Sequence, residues 1–388
     1  MSEIPDEPRY REVLAHLGEA NSVNRLTTPA LLCDLDRFER NLERMAHTVA
    51  EAGVALRPHV KSHKSSYVAR RQLYAGAAGL AFAKLSEAEA VLSALSFEGE
   101  EWRISALLTS PVVGDAQARR AVHLAQRWDV VVTLDDVESV RELARCADEA
   151  GGELAVLCDV DVGLGRTGVA NTEQALRVLE EILRYPHLRF AGVQGYGGHL
   201  QHIAGRAQRR DATQVSTERL AEVVTAFETR GQAVALRTGG GTGTASLDIE
   251  LGVLNELQCG SYVFMDREYR DALGDDVEGR FEQSLFVATT VISTNHRSYV
   301  TVDAGLKAMA TDAGTPVVVD HDAATFEFFG DEQGLLTHGT DDPLRRGQRL
   351  LLVPPHCDPT VDRYDVMWLV RGDVVEDVAP VTARGCSQ

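Results

Sequence analysis

Lys61 lies in the run Arg57-Pro-His-Val-Lys-Ser-His-Lys64, at the end of an apolar, strand-like stretch, and the pair His356-x-Asp358 follows nearly three hundred residues later. A lysine amine attacks an aldehyde carbon only as the neutral base, so its surroundings decide its reactivity. Arg57, His59, His63 and Lys64 would crowd it with positive charge and lower its pKa. The run therefore predicts a nucleophilic lysine, either Lys61 or Lys64. The His-x-Asp pair predicts a divalent-metal site. Two residues apart in an extended segment, an imidazole and a carboxylate project to one side, and such a pair suits manganese, magnesium, cobalt or zinc. Two protein ligands leave positions open for water and substrate. Cys357 would point the opposite way.

Two further stretches could hold a ligand. Thr238-Gly-Gly-Gly-Thr-Gly-Thr244 follows a strand, and backbone N–H groups freed of side chains can approach an oxyanion closely. It has neither the Lys-Ser/Thr of a nucleotide P-loop nor GxGxxG spacing. It reads as a turn or as a phosphate cup, which Gly260-Ser261 could complete. Asp159-Val-Asp-Val-Gly-Leu-Gly-Arg166 leaves a strand through two glycines and delivers a guanidinium. Arg166 could bind a phenolate, phosphate or carboxylate, or simply pair with Asp159 or Asp161.

These groups need elements to position them. From about Thr28 to Gly260, short β-rich runs alternate with helical patterns, the βαβα signature of a parallel sheet. Eight candidate strands are Ala30–Leu35, Val54–Lys61, Gly79–Lys84, Ile104–Thr109, Val130–Leu134, Leu154–Asp159, Phe190–Tyr196 and Val234–Thr238. The fold class is α/β. Eight βα units predict a (β/α)8 TIM-type barrel over residues 28–280, whose strand C-termini would carry Lys61, Lys84, Asp159, Tyr196 and the glycines after Thr238. From about Phe281 the texture changes to short β-branched runs split by Gly, Asp and Pro. A mainly β domain is expected over residues 281–388, joined by residues 1–27 and carrying the metal pair.

Composition narrows the function classes. At 388 residues and 44% hydrophobic content the chain can bury sizeable cores. A formal charge of −19 argues against a nucleic-acid partner. Arg206, Arg209 and Arg210 read as a solvated helix face. No run of about 18 apolar residues suggests a membrane span, and no leader is evident, so a cytoplasmic protein is expected. Six cysteines without a CxxC pair read as reduced thiols.

Eight motifs in order carry a family resemblance. They are Thr28-Pro-Ala30, Arg57-Pro-His-Val-Lys-Ser-His-Lys-Ser65, Asp161-Val-Gly-Leu-Gly-Arg-Thr-Gly168, Gly192-Val-Gln-Gly-Tyr196, Gly239-Gly-Gly-Thr-Gly-Thr244, Asn255-Glu-Leu-Gln-Cys-Gly-Ser-Tyr262, Val302-Asp-Ala-Gly-Leu-Lys307 and Pro355-His-Cys-Asp-Pro-Thr360. Together the chain resembles the D-threonine aldolase and D-3-hydroxyaspartate aldolase group, relatives of D-serine dehydratases among alanine-racemase-like pyridoxal 5′-phosphate enzymes. The resemblance implies that Lys61 holds the cofactor as a Schiff base and that Arg166 meets its phenolic oxygen. It places Tyr196 against the ring or phosphate, with Gly241, Thr242, Gly260 and Ser261 on the phosphate. It makes His356 and Asp358 the metal ligands. Lys61 would be catalytic, and His59, His63, His199 and His202 would be candidates for a proton relay, since imidazole titrates near neutrality.

The implied reaction is cleavage of a small D-β-hydroxy-α-amino acid to glycine and an aldehyde, in a homodimer. Related dehydratases resemble His-x-Cys at the metal pair, whereas Asp358 favours the aldolase branch. The rival readings are a dehydratase releasing a keto acid and ammonia, an amino-acid racemase, and a non-catalytic cofactor carrier.

Overall fold

In a computed structural model that describes residues 7–96, 104–274, 281–337 and 343–388, two short helices, Pro8–Leu14 and Ser22–Arg25, precede the first strand, β1 (Ala30–Asp34), after which short apolar strands alternate with helices. The strands β2 (Ala55–Leu56), β3 (Leu80–Phe82), β4 (Ser105–Leu108), β5 (Asp129–Leu134), β6 (Leu154–Asp159), β7 (Leu188–Gly195), β8 (Leu236–Gly239) and β9 (Glu256–Leu257) form one parallel sheet. Their order is β2-β9-β8-β7-β6-β5-β4-β3. A parallel bridge between His59 and Ala81 joins the two ends, so the sheet closes into a (β/α)8 barrel.

Successive side chains of a strand face opposite ways, and this alternation sorts the barrel residues. Leu80, Phe82, Ala106, Leu108, Val130 and Val132 pack outward against the helices. Ala81, Leu107, Val131, Ala155 and Leu157 fill the lumen. One step further along the inward phase stand the polar Thr133, Asp159 and Thr238, all buried. A register shift between Val156 and Leu157, opposite Phe190 and Gly192, resets β7 so that Gln194 lies beside Asp159. The barrel therefore has an apolar floor and a polar mouth.

The second sheet runs β13-β14-β11-β10-β1-β16-β17, with β15 paired to β10 and β12. Its later strands are β10 (Leu285–Ser293), β11 (Tyr299–Val302), β12 (Val317–Val318), β13 (Thr325–Phe328), β14 (Gly334–Thr337), β15 (Arg349–Val353), β16 (Val366–Arg371) and β17 (Val374–Pro380). The mainly β second domain is present as expected. The stretch Ala30–Leu35, expected as the first barrel strand, instead supplies β1 at the centre of this sheet, antiparallel to β10 and parallel to β16. The reason is physical: Leu31 and Cys33 face the main core while Ala30 and Leu32 face a second one, so β1 is apolar on both sides, as a barrel strand also is. The eighth barrel strand is the two-residue β9. The expected join at residue 280 lies outside the described residues.

No helix among the described residues is long and apolar enough to cross a membrane. All six cysteines are free thiols. Arg206 and Arg210 pair with Glu250 on the outside of the helix Arg206–Thr229, as a solvated face should, whereas Arg209 is buried.

Arg57 crosses from the end of β2 to β9. Its Nε donates to Glu256 Oε1 at 2.8 Å, and its Nη1 donates to the Ser105 carbonyl and hydroxyl at 3.0 Å. Both partners of the ion pair are almost wholly buried, and a Cβ at Gly79 would stand 2.4 Å from Nη1. Glu256→Leu should strip a buried guanidinium of its counter-charge and lower the unfolding free energy by about 3–5 kcal/mol in urea titrations. The double variant Arg57→Met/Glu256→Leu should recover most of that loss.

Candidate active site

The polypeptide leaves β2 through Pro58 into a tight turn, Val60–Ser62, that carries Lys61 over the mouth. A second turn, Ser261–Val263, abuts it so closely that a Cβ at Gly260 would come within 2.7 Å of the His59 carbonyl oxygen. Lys64 closes the first turn in the left-handed region, with φ of 49°. Its N–H donates to the Val60 carbonyl at 2.7 Å, and its own carbonyl accepts the Ala383 N–H at 2.9 Å.

Lys61 does not sit among uncompensated cations, as its sequence neighbours predicted. Arg57 is neutralised by Glu256, and Lys64 by Asp362 at 2.9 Å and Glu87 at 3.6 Å. His59 and His63 are uncharged: burial, aided for His59 by the charge on Lys61, holds them down at about 3 and about 4. Lys61 Nζ itself donates to Asp358 Oδ2 at 2.6 Å. Burial works to lower the amine's pKa, but the Asp358 carboxylate outweighs it and raises the pKa. In this structure Lys61 is an ammonium ion.

Both ring nitrogens of His59 and of His63 are occupied. Thr109 donates its hydroxyl to the Phe82 carbonyl, so the 3.0 Å contact from His59 Nε2 is donated by the ring, and Nδ1 accepts the Lys61 N–H at 3.4 Å. His63 Nδ1 accepts the Ser65 N–H at 3.1 Å, and Nε2 donates to Gln72 Oε1 at 3.2 Å. These two histidines brace the lysine turn.

The segment with His356 and Asp358 is not extended. His356 caps a short helix, Cys357–Val361, and Asp358 lies in its first turn. Buried Asp266 holds that helix: its Oδ2 accepts the Cys357 N–H at 2.8 Å, while Oδ1 accepts the Tyr269 N–H at 2.9 Å. His356 Nδ1 meets Asp312 Oδ2 at 2.7 Å, the kind of carboxylate contact that orients metal-binding imidazoles. Burial disfavours charge on His356, yet Asp358 and the Asp312 hydrogen bond raise its pKa. Asp358 also accepts the Ser261 hydroxyl at 3.3 Å and is held well below the carboxylate range, with burial opposing and Lys61 prevailing. Among the described residues no set of three or more His, Cys, Asp or Glu has metal-holding geometry. His356 and Asp358 nonetheless have the donor chemistry for a divalent ion that takes its other ligands from water and substrate.

His202 lies near enough to feel the charges of His356, Asp358 and Lys61. Its Nδ1 lies 3.4 Å from Glu268, its ring rests 4.5 Å from that of Tyr269, and its buried Nε2 has no hydrogen-bond partner. Burial pulls its pKa down against the opposing pull of Glu268. Asp266, Glu268 and Asp312 went unread in the sequence because a lone acidic residue carries no spacing signal.

The predicted cofactor residues fit a phosphorylated ring. Thr242 Oγ1 is buried and without a hydrogen-bond partner, as an acceptor-seeking hydroxyl in an anion cup would be. Around it, a Cβ at Gly241 would fall 2.4 Å from Gln201 Oε1, so bare backbone is required. The Arg166 guanidinium stands 5.6 Å over the Tyr196 ring, and Asp161 is satisfied instead by the N–H groups of Gly163 and Gly165. Gly260 and Ser261 adjoin the lysine turn.

The chain matches the family model "Alanine racemase, N-terminal domain" over residues 33–268 and the "Putative serine dehydratase domain" over residues 284–370. A 3-hydroxy-D-aspartate aldolase from Paracoccus denitrificans (strain Pd 1222) is 36% identical over 368 residues, covering 93% of both chains. A D-threonine aldolase from an Arthrobacter species is 37% identical over 366 residues, covering 94% of both. The crystal structure of D-threonine aldolase from Filomicrobium marinum superposes with a TM-score of 0.89 at 36% identity, covering 94% of this chain and 98% of that one.

Asp159 offers a pH test of the mouth. Its carboxylate accepts Gln194 Nε2 and the Thr167 hydroxyl, each at 2.9 Å, but burial pushes its pKa up to about 6. With the folded value above the unfolded one, the native chain binds the extra proton, so this group's stabilisation is full below about pH 4 and declines as pH rises to about 6. Asp159→Asn should match the wild type in urea midpoint below pH 4 and exceed it at pH 8.

Proposed function

The chain belongs to the alanine-racemase-like group that contains the D-threonine and 3-hydroxy-D-aspartate aldolases, and from that premise we propose a pyridoxal-phosphate- and divalent-metal-dependent lyase that cleaves D-β-hydroxy-α-amino acids to glycine and an aldehyde. The observation that carries this reading is the meeting of Lys61 with Asp358 two residues from His356, with His202, whose Nε2 has no partner, within reach of their charges. A lysine that becomes a nucleophile once it gives up its proton, a metal-donor pair and a proton acceptor would then share one mouth.

Lys61 would hold the cofactor, with Arg166, Tyr196, Gly241, Thr242, Gly260 and Ser261 around it. When bound, that group supplies the electron sink for the bonding pair of a broken Cα–Cβ bond. His356 and Asp358 would hold the metal, which supplies Lewis acidity at the substrate's β-oxygen. Lys61 cannot keep its ammonium contact with Asp358 while engaged elsewhere, so commitment of the lysine frees that carboxylate as a ligand. His202 would take the β-hydroxyl proton on Nε2, a reading supported by the lack of any hydrogen-bond partner on that nitrogen while Nδ1 lies 3.4 Å from Glu268. His59 and His63, with both ring nitrogens engaged, would hold the turn. The proposal extends to a homodimer, supported by the exposed Ile292, Leu306 and Phe329 on the second domain.

Purified protein should show an absorbance band near roughly 420 nm that Lys61→Ala abolishes. With D-threonine or D-3-hydroxyaspartate it should yield glycine and an aldehyde, lose activity with a chelator and regain it with a divalent metal. A keto acid and ammonia would make it a dehydratase, and turnover indifferent to the chelator would remove the metal from the reading. His202→Asn should leave the band in place and lower kcat by about 10²–10⁴-fold.

A further inference from the structure

Behind the glycine turn lies a buried polar chain that neither the cofactor contacts nor the metal pair account for. The helix Ala245–Leu251 follows the turn directly, and Asp248 on it is 3% exposed. Its Oδ2 accepts the Thr244 hydroxyl at 2.7 Å. The Thr244 oxygen in turn accepts Gln201 Nε2 at 3.2 Å and the Gly241 N–H at 3.3 Å. A hydroxyl has two lone pairs and one proton. With both lone pairs taken, its proton has to go to Asp248.

Gln201, also buried, spans the rest of the turn. Its Oε1 accepts the Gly243 N–H at 2.9 Å, and its Nε2 also donates to the Gly197 carbonyl at 3.1 Å. The fit is tight. A Cβ at Gly240 would meet Asp248 Oδ2 at 2.4 Å, and one at Gly243 would meet the Gln201 carbonyl oxygen at 2.1 Å. The N–H groups of Gly241 and Gly243 are thus spent inward, and the turn presents the unpartnered Thr242 hydroxyl. We infer that Asp248, through Thr244 and Gln201, is a positioning residue that shapes this turn into a phosphate cup by fixing which of its polar groups face the ligand. Asp248 lines a small cavity with Thr213, Thr217 and Gly240, and it reaches Gly241 through the Thr244 hydroxyl.

The inference rests on the cofactor reading above, and one experiment separates the two. The full chain, freed of cofactor, is titrated with pyridoxal 5′-phosphate and with pyridoxal, which lacks the phosphate. The ratio of the two Kd values reports the cup alone. Asp248→Ala and Thr244→Val should each raise the Kd for pyridoxal 5′-phosphate by about tenfold, with pyridoxal within about twofold of wild type, while Asp248→Asn and Thr244→Ser preserve the ratio. The two disruptive variants remove the same link from opposite ends, so either one that folds decides the matter. An unchanged ratio in them, or a parallel loss of both ligands, overturns the positioning role. A wild type that binds the two ligands equally overturns the phosphate cup itself, and the inference with it.

Discussion

The 2.6 Å contact from Lys61 Nζ to Asp358 Oδ2 spans 297 positions of sequence and ties the barrel mouth to the second domain. The lysine turn is braced from below by His59 and His63, and from the side by Lys64, whose ammonium reaches Asp362 just past the helix that bears Asp358. That helix is held by Asp266, which also caps the following Arg267–Leu273 helix. Two domains that meet through so many directional bonds behave as one site, and neither could be shifted without moving the lysine from its partner.

Electrostatic balance at the mouth is achieved pairwise. Arg57 and Lys64 each have their own carboxylate, and the amine feels chiefly Asp358, which raises its pKa against burial. An ammonium is not a nucleophile, which makes the Lys61–Asp358 pair a resting arrangement in which two reactive groups keep each other occupied. A ligand that takes the lysine releases the carboxylate, and a cation that takes the carboxylate releases the lysine. The two proposed cofactors would in that way favour each other's binding.

Much of the architecture was legible from pattern. Alternating βα texture up to Gly260 implied the barrel, and the change after Phe281 implied the mainly β domain. The pattern erred at its ends for a definite reason: β1 is apolar on both faces, and β9 is two residues long, too short for any periodicity. At the site, Lys61, His356 and Asp358 stood out because residue type and spacing mark them, and the structure brings Lys61 and Asp358 into contact. The catalytic reading of His59 and His63 rested on type alone, and their bonding to Thr109 and Gln72 could not be read from spacing.

Residue identity and order by themselves determined the strand and helix alternation, the glycine turn, the donor types and the motifs that place the chain in its family, since these are local or depend on a linear pattern. Only the tertiary structure decided which charges cancel, which imidazole nitrogens stay open, and that Asp312, Glu268 and Asp266 serve the site. A pKa or a vacant lone pair is set by atoms within a few ångströms in space, and in this chain those atoms come from segments tens to hundreds of residues apart.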